Sequence, residues 1–242
     1  MSFRPVGTHR IRLNGVSEWC GKIKKINMKK VAVILAGCGK MDGSEITETV
    51  TLLLALDQHN IEYQAFAPDS YQAEVCNHVT GQRMMERRNM MVEAARIVRG
   101  EIQPITKFNA DDFDALFFPG GFGAAKNLFT YAYDGINFKV IKDVEKAIKD
   151  VHAQGKPIGA MCIAPLMVAK VLGNVSVTMG SGQCNQAKEL EKIGCKHIET
   201  THGGVAIDKE NKIFTTPCFM LDASLKDIYQ GAWNLVEEML SK

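Results

Sequence analysis

The chain has 242 residues, 46% of them hydrophobic and 23% charged, enough to bury a sizeable core, which excludes a peptide hormone or a disulfide miniprotein. Lys plus Arg number 29 and Asp plus Glu 27, so the net charge is only +2, too weak a field for a general nucleic-acid binder. No apolar run approaches the roughly 18 residues needed to span a bilayer, so a soluble protein with neither nucleic acid nor membrane as partner is expected.

Residues 1–27 differ from the rest. They hold Arg4, Arg10, Arg12, Lys22, Lys24 and Lys25 against one acid, Glu18, with Pro5 and three glycines and no coherent periodicity. Removing those six bases and one acid from the totals leaves 23 basic and 26 acidic residues, so residues 28–242 carry a net charge of −3. The segment reads as a basic extension preceding one domain over 28–242. It lacks the apolar centre of a secretory signal, and as a transit peptide its amphipathic pattern is poor. The seven cysteines (Cys20, Cys38, Cys76, Cys162, Cys184, Cys195 and Cys218) are odd in number, scattered and never spaced Cys-x-x-Cys. That spacing predicts a reducing compartment, no structural metal and mostly buried apolar thiols. A cytoplasmic location follows, or a mitochondrial one if residues 1–27 act as a transit peptide.

Regular structure is predicted from Lys29 onward. Val31 to Ala36 is a continuous apolar run that suits a strand buried on both faces of a parallel sheet. After the loop Gly37 to Gly43, a helix is predicted to begin near Ser44 as N-cap, with Ile46, Val50, Leu53, Leu54 and Leu56 on its apolar positions. Ile61 to Ala67 reads as a strand, Met84 to Val98 as a helix, and Ala115 to Phe118 as a buried strand stopped by Pro119-Gly120-Gly121. Phe138 to Ala153 reads as an amphipathic helix, Lys156 to Met161 as a strand and Pro165 to Leu172 as a helix. A strand over Val175 to Thr178, a helix over Ala187 to Ile193, a strand over Lys212 to Thr215 and a closing helix over Leu225 to Leu240 complete the pattern. Alternation of this kind predicts an α/β fold with a mainly parallel sheet and helices on both faces.

Function in such sheets collects beyond the carboxyl ends of the strands. Gly159-Ala-Met-Cys-Ile-Ala-Pro165 puts Cys162 at a strand-to-helix transition with small residues two before and two after it, the requirement of a nucleophile elbow. The helix N-terminus that follows is expected to depress the thiol pKa. Gly120 and Gly121 would let the chain turn with its amides inward, so the N–H groups of Gly121 and Ile163, with Gly120 beside them, are candidates for an oxyanion hole. Glu45 and Glu48, three apart in the first helical turn, are candidate acid-base groups. Cys38 lies in a loop expected to face the same crevice.

Ala36-Gly-Cys-Gly39, Asp42-Gly-Ser-Glu-Ile46, Phe66-Ala-Pro-Asp69, Asn77-His-Val-Thr-Gly81, Arg88-Asn89, Glu93-Ala-Ala-Arg96, Pro119-Gly-Gly-Phe-Gly-Ala-Ala-Lys-Asn127 and Met161-Cys-Ile-Ala-Pro165 resemble the ElbB-like ("enhancing lycopene biosynthesis", isoprenoid-biosynthesis-like) group. That group belongs to the deglycase and PfpI branch of the class I glutamine amidotransferase-like superfamily. The resemblance covers Lys29 to about Leu240. It implies a flavodoxin-like three-layer sandwich, often a homodimer, with Cys162 as nucleophile and Glu48 as the acid that meets the sulfur, Glu45 being its neighbour. It also brings His78 and Asn127 forward as pocket candidates. The implied activity is cofactor-free, metal-free conversion of a small reactive aldehyde, glyoxal to glycolate, or deglycation of protein adducts. The alternative is a redox-responsive or chaperone-like protein that senses oxidation at Cys162. The sequence departs from amidotransferases in having Ile163 rather than histidine after the cysteine, which disfavours glutamine hydrolysis. His202, in Thr-His-Gly-Gly, is expected at the surface.

Overall fold

Six strands lie side by side in parallel, and a seventh closes one edge. The computed structural model describes residues 28–241, so the basic extension and its Cys20 lie outside the described residues. In chain order the elements are β1 (Lys30–Ile34), α1 (Ile46–Gln58), β2 (Glu62–Ala67), β3 (Val75–Cys76), β4 (Arg83–Met84), α2 (Met90–Ala94), β5 (Ile102–Pro104) and β6 (Ala115–Phe118). They continue with α3 (Ala124–Asn127), α4 (Tyr131–Asp134), α5 (Lys142–Ala153), β7 (Ile158–Met161), α6 (Ala164–Leu172), β8 (Ser176–Val177) and α7 (Asn185–Lys192). The last are β9 (Lys196–His197), β10 (Ala206–Asp208), β11 (Ile213–Thr216) and α8 (Leu225–Leu240).

The main sheet runs β10-β11-β7-β6-β1-β2-β5, with only β10 antiparallel to its neighbour. Strands β1, β6 and β7 are almost wholly buried, which explains their unbroken apolar sequences. Helix α1 packs on α8 and α5 on α6, giving the flavodoxin-like α/β arrangement. The chain leaves β1 toward β2 and β5, then returns to place β6 on the other side of β1. That reversal is the topological switch point, and the loops at its carboxyl end form a crevice.

Several predicted elements need correction. The helix expected over Met84 to Val98 is confined to Met90–Ala94, because Arg83–Met84 pairs with Val75–Cys76 as a small hairpin. The N-cap of α1 is Glu45, whose side chain accepts from the Glu48 N–H; Ser44 instead uses its Oγ to accept the Ala36 N–H. Ile46, Val50 and Leu54 face outward, while Thr49, Leu52, Leu53 and Leu56 turn to the core. Val175 to Thr178 contributes only Ser176–Val177, paired with Lys196–His197 away from the main sheet.

Two loops are locked together at the switch point. The Glu45 N–H donates to the Gly120 carbonyl at 3.0 Å and the Gly123 N–H to the Lys40 carbonyl at 2.8 Å. The approach is so close that a Cβ on Gly123 would sit 1.8 Å from the Gly43 nitrogen. Gly123 has an ordinary φ of −64°, so only its missing side chain is at stake. Gly123→Ala should therefore destabilise the fold by about 3 kcal/mol, the upper part of the usual overpacking range. Urea denaturation measures this; a variant as stable as the parent would show that the loops can part without cost.

Candidate functional site

Cys162 follows the last residue of β7 and precedes α6, and its φ is +58°. A residue with a Cβ in this left-handed region is strained, and the turn that imposes the strain holds the side chain at the tip of the strand. The Cys162 N–H donates to the Thr216 carbonyl of neighbouring β11 at 3.0 Å, anchoring the turn to the sheet. Gly120 lies directly against it. A Cβ there would come within 2.5 Å of Cys162 Cβ and 2.8 Å of Glu48 Oε2, so the position must be glycine.

The residues proposed for the oxyanion hole divide. The N–H groups of Gly121 and Ile163 both donate toward the Cys162 sulfur. The Gly120 N–H is committed instead to Glu48 Oε2 at 2.9 Å, so Gly120 orients the acid and is no donor to an oxyanion.

Glu48 is 0% exposed. Its Oε2 takes the Gly120 N–H, while Oε1 has no partner that meets hydrogen-bond geometry. The Cys162 thiol and the Phe219 N–H nevertheless lie near enough to favour its charged form. Burial outweighs them and, with the neighbouring Glu45 charge, raises the Glu48 pKa to about 8. The carboxyl is therefore mostly protonated at neutral pH, and an Oε1–H can donate toward the sulfur.

The Cys162 thiol is 7% exposed. The helix terminus does not depress its pKa as expected: burial first, then Glu48, pushes it well above the ordinary thiol value, against the opposing pull of the Gly121 and Ile163 amides. Thiol and acid share one dry space, so their protons belong to the pair.

Glu45 is half-buried at the pocket wall; burial raises its pKa, while the Glu48, Thr47 and Ile46 amides and the Lys40 charge draw it back. The pocket itself has a volume of about 590 Å³ and opens onto Cys162 and Ile163. Its wall is mainly apolar, built from Met41, Phe122, Phe219 and Met220, with Lys40, Glu45, Tyr131 and Gln186 as polar members.

Five candidates are not part of the pocket lining: Glu48 and Gly120, which lie against Cys162, and Cys38, His78 and Asn127. Cys38 is half-buried beside Glu93, Arg96 and Asp42, because the β1 loop turns its side chain away from the crevice. Its thiol is raised by burial. His78 accepts the Met41 N–H through Nε2 at 3.3 Å and stands 3.6 Å from Asp42, bracing the pocket loop from behind. Asn127 is buried and donates through Nδ2 to the carbonyls of Ala36 and Asp42 at 2.8 and 2.9 Å while its Oδ1 accepts the Ala73 N–H. Both fix the backbone that carries Lys40 and Met41. His202 is exposed, with Nε2 2.8 Å from the Asp222 carbonyl.

Sequence reasoning missed the segment after β11. Cys218, at φ +46°, packs beside Cys162 and Glu48, and Phe219 and Met220 line the pocket. The neighbouring strands β7 and β11 bring this turn to the elbow, a juxtaposition that only the sheet order reveals. Among the described residues no group of three His, Cys, Asp or Glu side chains could hold a metal ion, and no helix is long and apolar enough to cross a membrane.

A scan against protein-family models finds no match. The human protein "Glutamine amidotransferase-like class 1 domain-containing protein 3, mitochondrial" is 43% identical over 220 residues, covering 87% of this chain and 82% of its own length. The chain belongs to this glutamine amidotransferase-like, ES1 family. The zebrafish "ES1 protein, mitochondrial" is 33% identical over 228 residues, covering 87% of this chain and 84% of its own. Among solved structures, the Ehrlichia chaffeensis isoprenoid biosynthesis protein with an amidotransferase-like domain matches with TM-score 0.80 and 36% identity over 87% of this chain and 98% of that one. Drosophila DJ-1beta shares the fold at TM-score 0.52 and 18% identity, over 89% and 92%. The family resemblance inferred from the motifs therefore holds, and in this chain a thiol and a buried acid meet on a fold shared with the DJ-1 and PfpI proteins.

The buried acid makes a pH-dependent contribution to stability. Its folded pKa of about 8 lies above the ordinary 4.5, so its stabilising effect is complete below the ordinary value and is lost as pH rises through about 8. Glu48→Gln keeps an acceptor for Gly120 and a donor for the sulfur but cannot titrate. Denaturant unfolding of both proteins from about pH 5 to about pH 9 should show the parent losing stability relative to the variant. A constant difference would mean that Glu48 does not titrate in this window.

Proposed function

We propose that this protein is a cofactor-independent, cysteine-dependent enzyme that converts a small 2-oxoaldehyde to the 2-hydroxyacid, with glyoxal to glycolate as the simplest case, and that acts equally on aldehyde adducts of this kind. The observation that carries the reading is the convergence on one sulfur of two inward N–H groups, from Gly121 and Ile163, and a carboxyl whose pKa lies near 8.

The chemistry balances without an oxidant or a reductant. As Cys162 attacks the aldehyde carbon, Glu48 in its charged form takes the S–H proton, and the developing oxyanion is met by the Gly121 and Ile163 amides. Glu48 returns that proton to the oxygen, giving a hemithioacetal, and is again a carboxylate. It then removes the C–H proton while the hydroxyl proton passes to the neighbouring carbonyl oxygen, forming an enediolate, and delivers the C–H proton to the adjacent carbon, which leaves a thioester. Water cleaves the thioester, releasing the hydroxyacid and restoring the thiol, so the net change is addition of one water.

An acid near pKa 8 suits both halves of the proton shuttle, because donor and acceptor forms coexist near neutral pH. Among the described residues no histidine lines the pocket, and the shuttle is assigned to Glu48, the acid buried against Cys162. The mitochondrial names of the human and zebrafish relatives, together with the basic, acid-poor residues 1–27, support a mitochondrial location for this enzyme.

Glyoxal turnover, followed as glycolate formed, should disappear in Cys162→Ser and fall by about 10²- to 10⁴-fold in Glu48→Gln, the usual worth of a general acid-base group. The parent rate should climb as pH passes through about 8 and Glu48 ionises. Turnover that survives both substitutions would overturn the reading.

A further inference from the structure

We infer that the substrates of this site are 2-oxoaldehydes bearing a bulky apolar or aromatic substituent, and that Phe122 is a specificity-determining residue which grips it. The inference rests on the proposed aldehyde chemistry and specifies its substrate class.

The first argument is size. Glyoxal has four heavy atoms, whereas the cavity over Cys162 measures about 590 Å³, within the roughly 300–1,000 Å³ typical of sites for drug-sized ligands. The two reacting carbons need only the corner formed by Cys162, Gly121 and Ile163. Apolar side chains, Met41, Phe122, Phe219 and Met220, make up much of the remaining wall, beside Lys40, Glu45, Tyr131 and Gln186. An apolar substituent gains from leaving water against Met41, Phe122, Phe219 and Met220.

The second argument is that the aromatic wall is held in place before anything binds. Phe122 is 51% exposed, an unusual position for such a ring unless it has a surface to meet. Beneath it the Lys126 ammonium lies 4.7 Å from the ring centroid. That ammonium is itself only 7% exposed and is fixed by an ion pair with Glu74 and by a 2.8 Å hydrogen bond to the Met41 carbonyl. One buried cation thus sets the Phe122 ring and the Met41 backbone, two parts of the same wall. A preorganised ring binds an aromatic or branched group without first losing its own freedom.

Phenylglyoxal is the probe. Its reaction follows the same balance, one water added to give mandelate. For the parent protein kcat/KM for phenylglyoxal should exceed that for glyoxal by at least about tenfold, and Phe122→Ala should reduce that ratio by about tenfold, the scale of hydrophobic-pocket discrimination. Because Phe122 is half-exposed, its truncation should leave the fold intact; Phe219→Leu, which keeps the backbone N–H near Glu48, provides a second variant. A parent ratio at or below one, or a ratio unmoved by both variants, would overturn the inference while glyoxal turnover left the reaction itself standing. A readout independent of turnover covers the case in which neither aldehyde reacts. Mandelate should slow iodoacetamide alkylation of Cys162, followed by mass spectrometry, at least about fivefold more than the same concentration of glycolate does. Equal protection by the two acids overturns the inference whatever the fate of the proposed reaction.

Discussion

The hydrogen bond from the Gly120 N–H to Glu48 Oε2 is the contact on which the site depends. It joins the end of β6 to the first turn of α1 and forms only because residue 120 has no Cβ to push Glu48 and Cys162 apart. Closing that gap removes water from the carboxyl. Removing water raises its pKa, and a raised pKa turns an ordinary first-turn glutamate into a group that can hold or release a proton near neutral pH. The same contact sets the position of the neighbouring Gly121 amide, which donates toward the sulfur. A local backbone constraint therefore determines the electrostatics of the whole centre.

Much of this arrangement is legible in the sequence, for physical reasons that differ from residue to residue. Cys162 stands out because a strained strand-to-helix turn demands small neighbours, and Gly-Ala-Met-Cys-Ile-Ala-Pro supplies them. Strands β6 and β7 are legible because burial on both faces leaves only apolar residues. The thiol's proton affinity is not legible, since it depends on how deeply the sulfur is buried and on a carboxyl 114 positions away in the chain. Nor are the roles of His78 and Asn127, whose side chains serve the pocket loop by bonding its backbone from outside. Polar residues in family motifs mark important places, but the motif alone does not distinguish a group that touches substrate from one that holds the chain in place. Phe219 and Met220 were missed because a short turn after β11 has no chemical signature; its importance comes from the pairing of β11 with β7.

The back of the pocket loop is more elaborately tied than the front. Asp42 alone accepts the Cys76 N–H through its carboxylate, while its own carbonyl is bonded by Gln72 and Asn127. Lys126 takes the adjoining Met41 carbonyl. Buried ion pairs such as Lys126 with Glu74 contribute little net stability once desolvation is counted. Their value here is positional, since Lys126 ties the Met41 carbonyl of the pocket loop to Glu74.

The amidotransferase-like part of the family name and the chemistry of this centre separate at one residue type. Hydrolysis of an amide must protonate a poor leaving group, and a histidine beside the cysteine is the usual means of moving that proton. Here Ile163 follows the cysteine, and the acid that meets the sulfur is a carboxyl buried too deeply to stay charged at neutral pH. An isomerisation of a bound aldehyde has no amine to expel. It needs a single group that takes a proton from one carbon and returns it to the next, and a lone acid balanced near neutrality can do both. The elbow is present here, and the group beside its sulfur is a buried carboxyl rather than an imidazole.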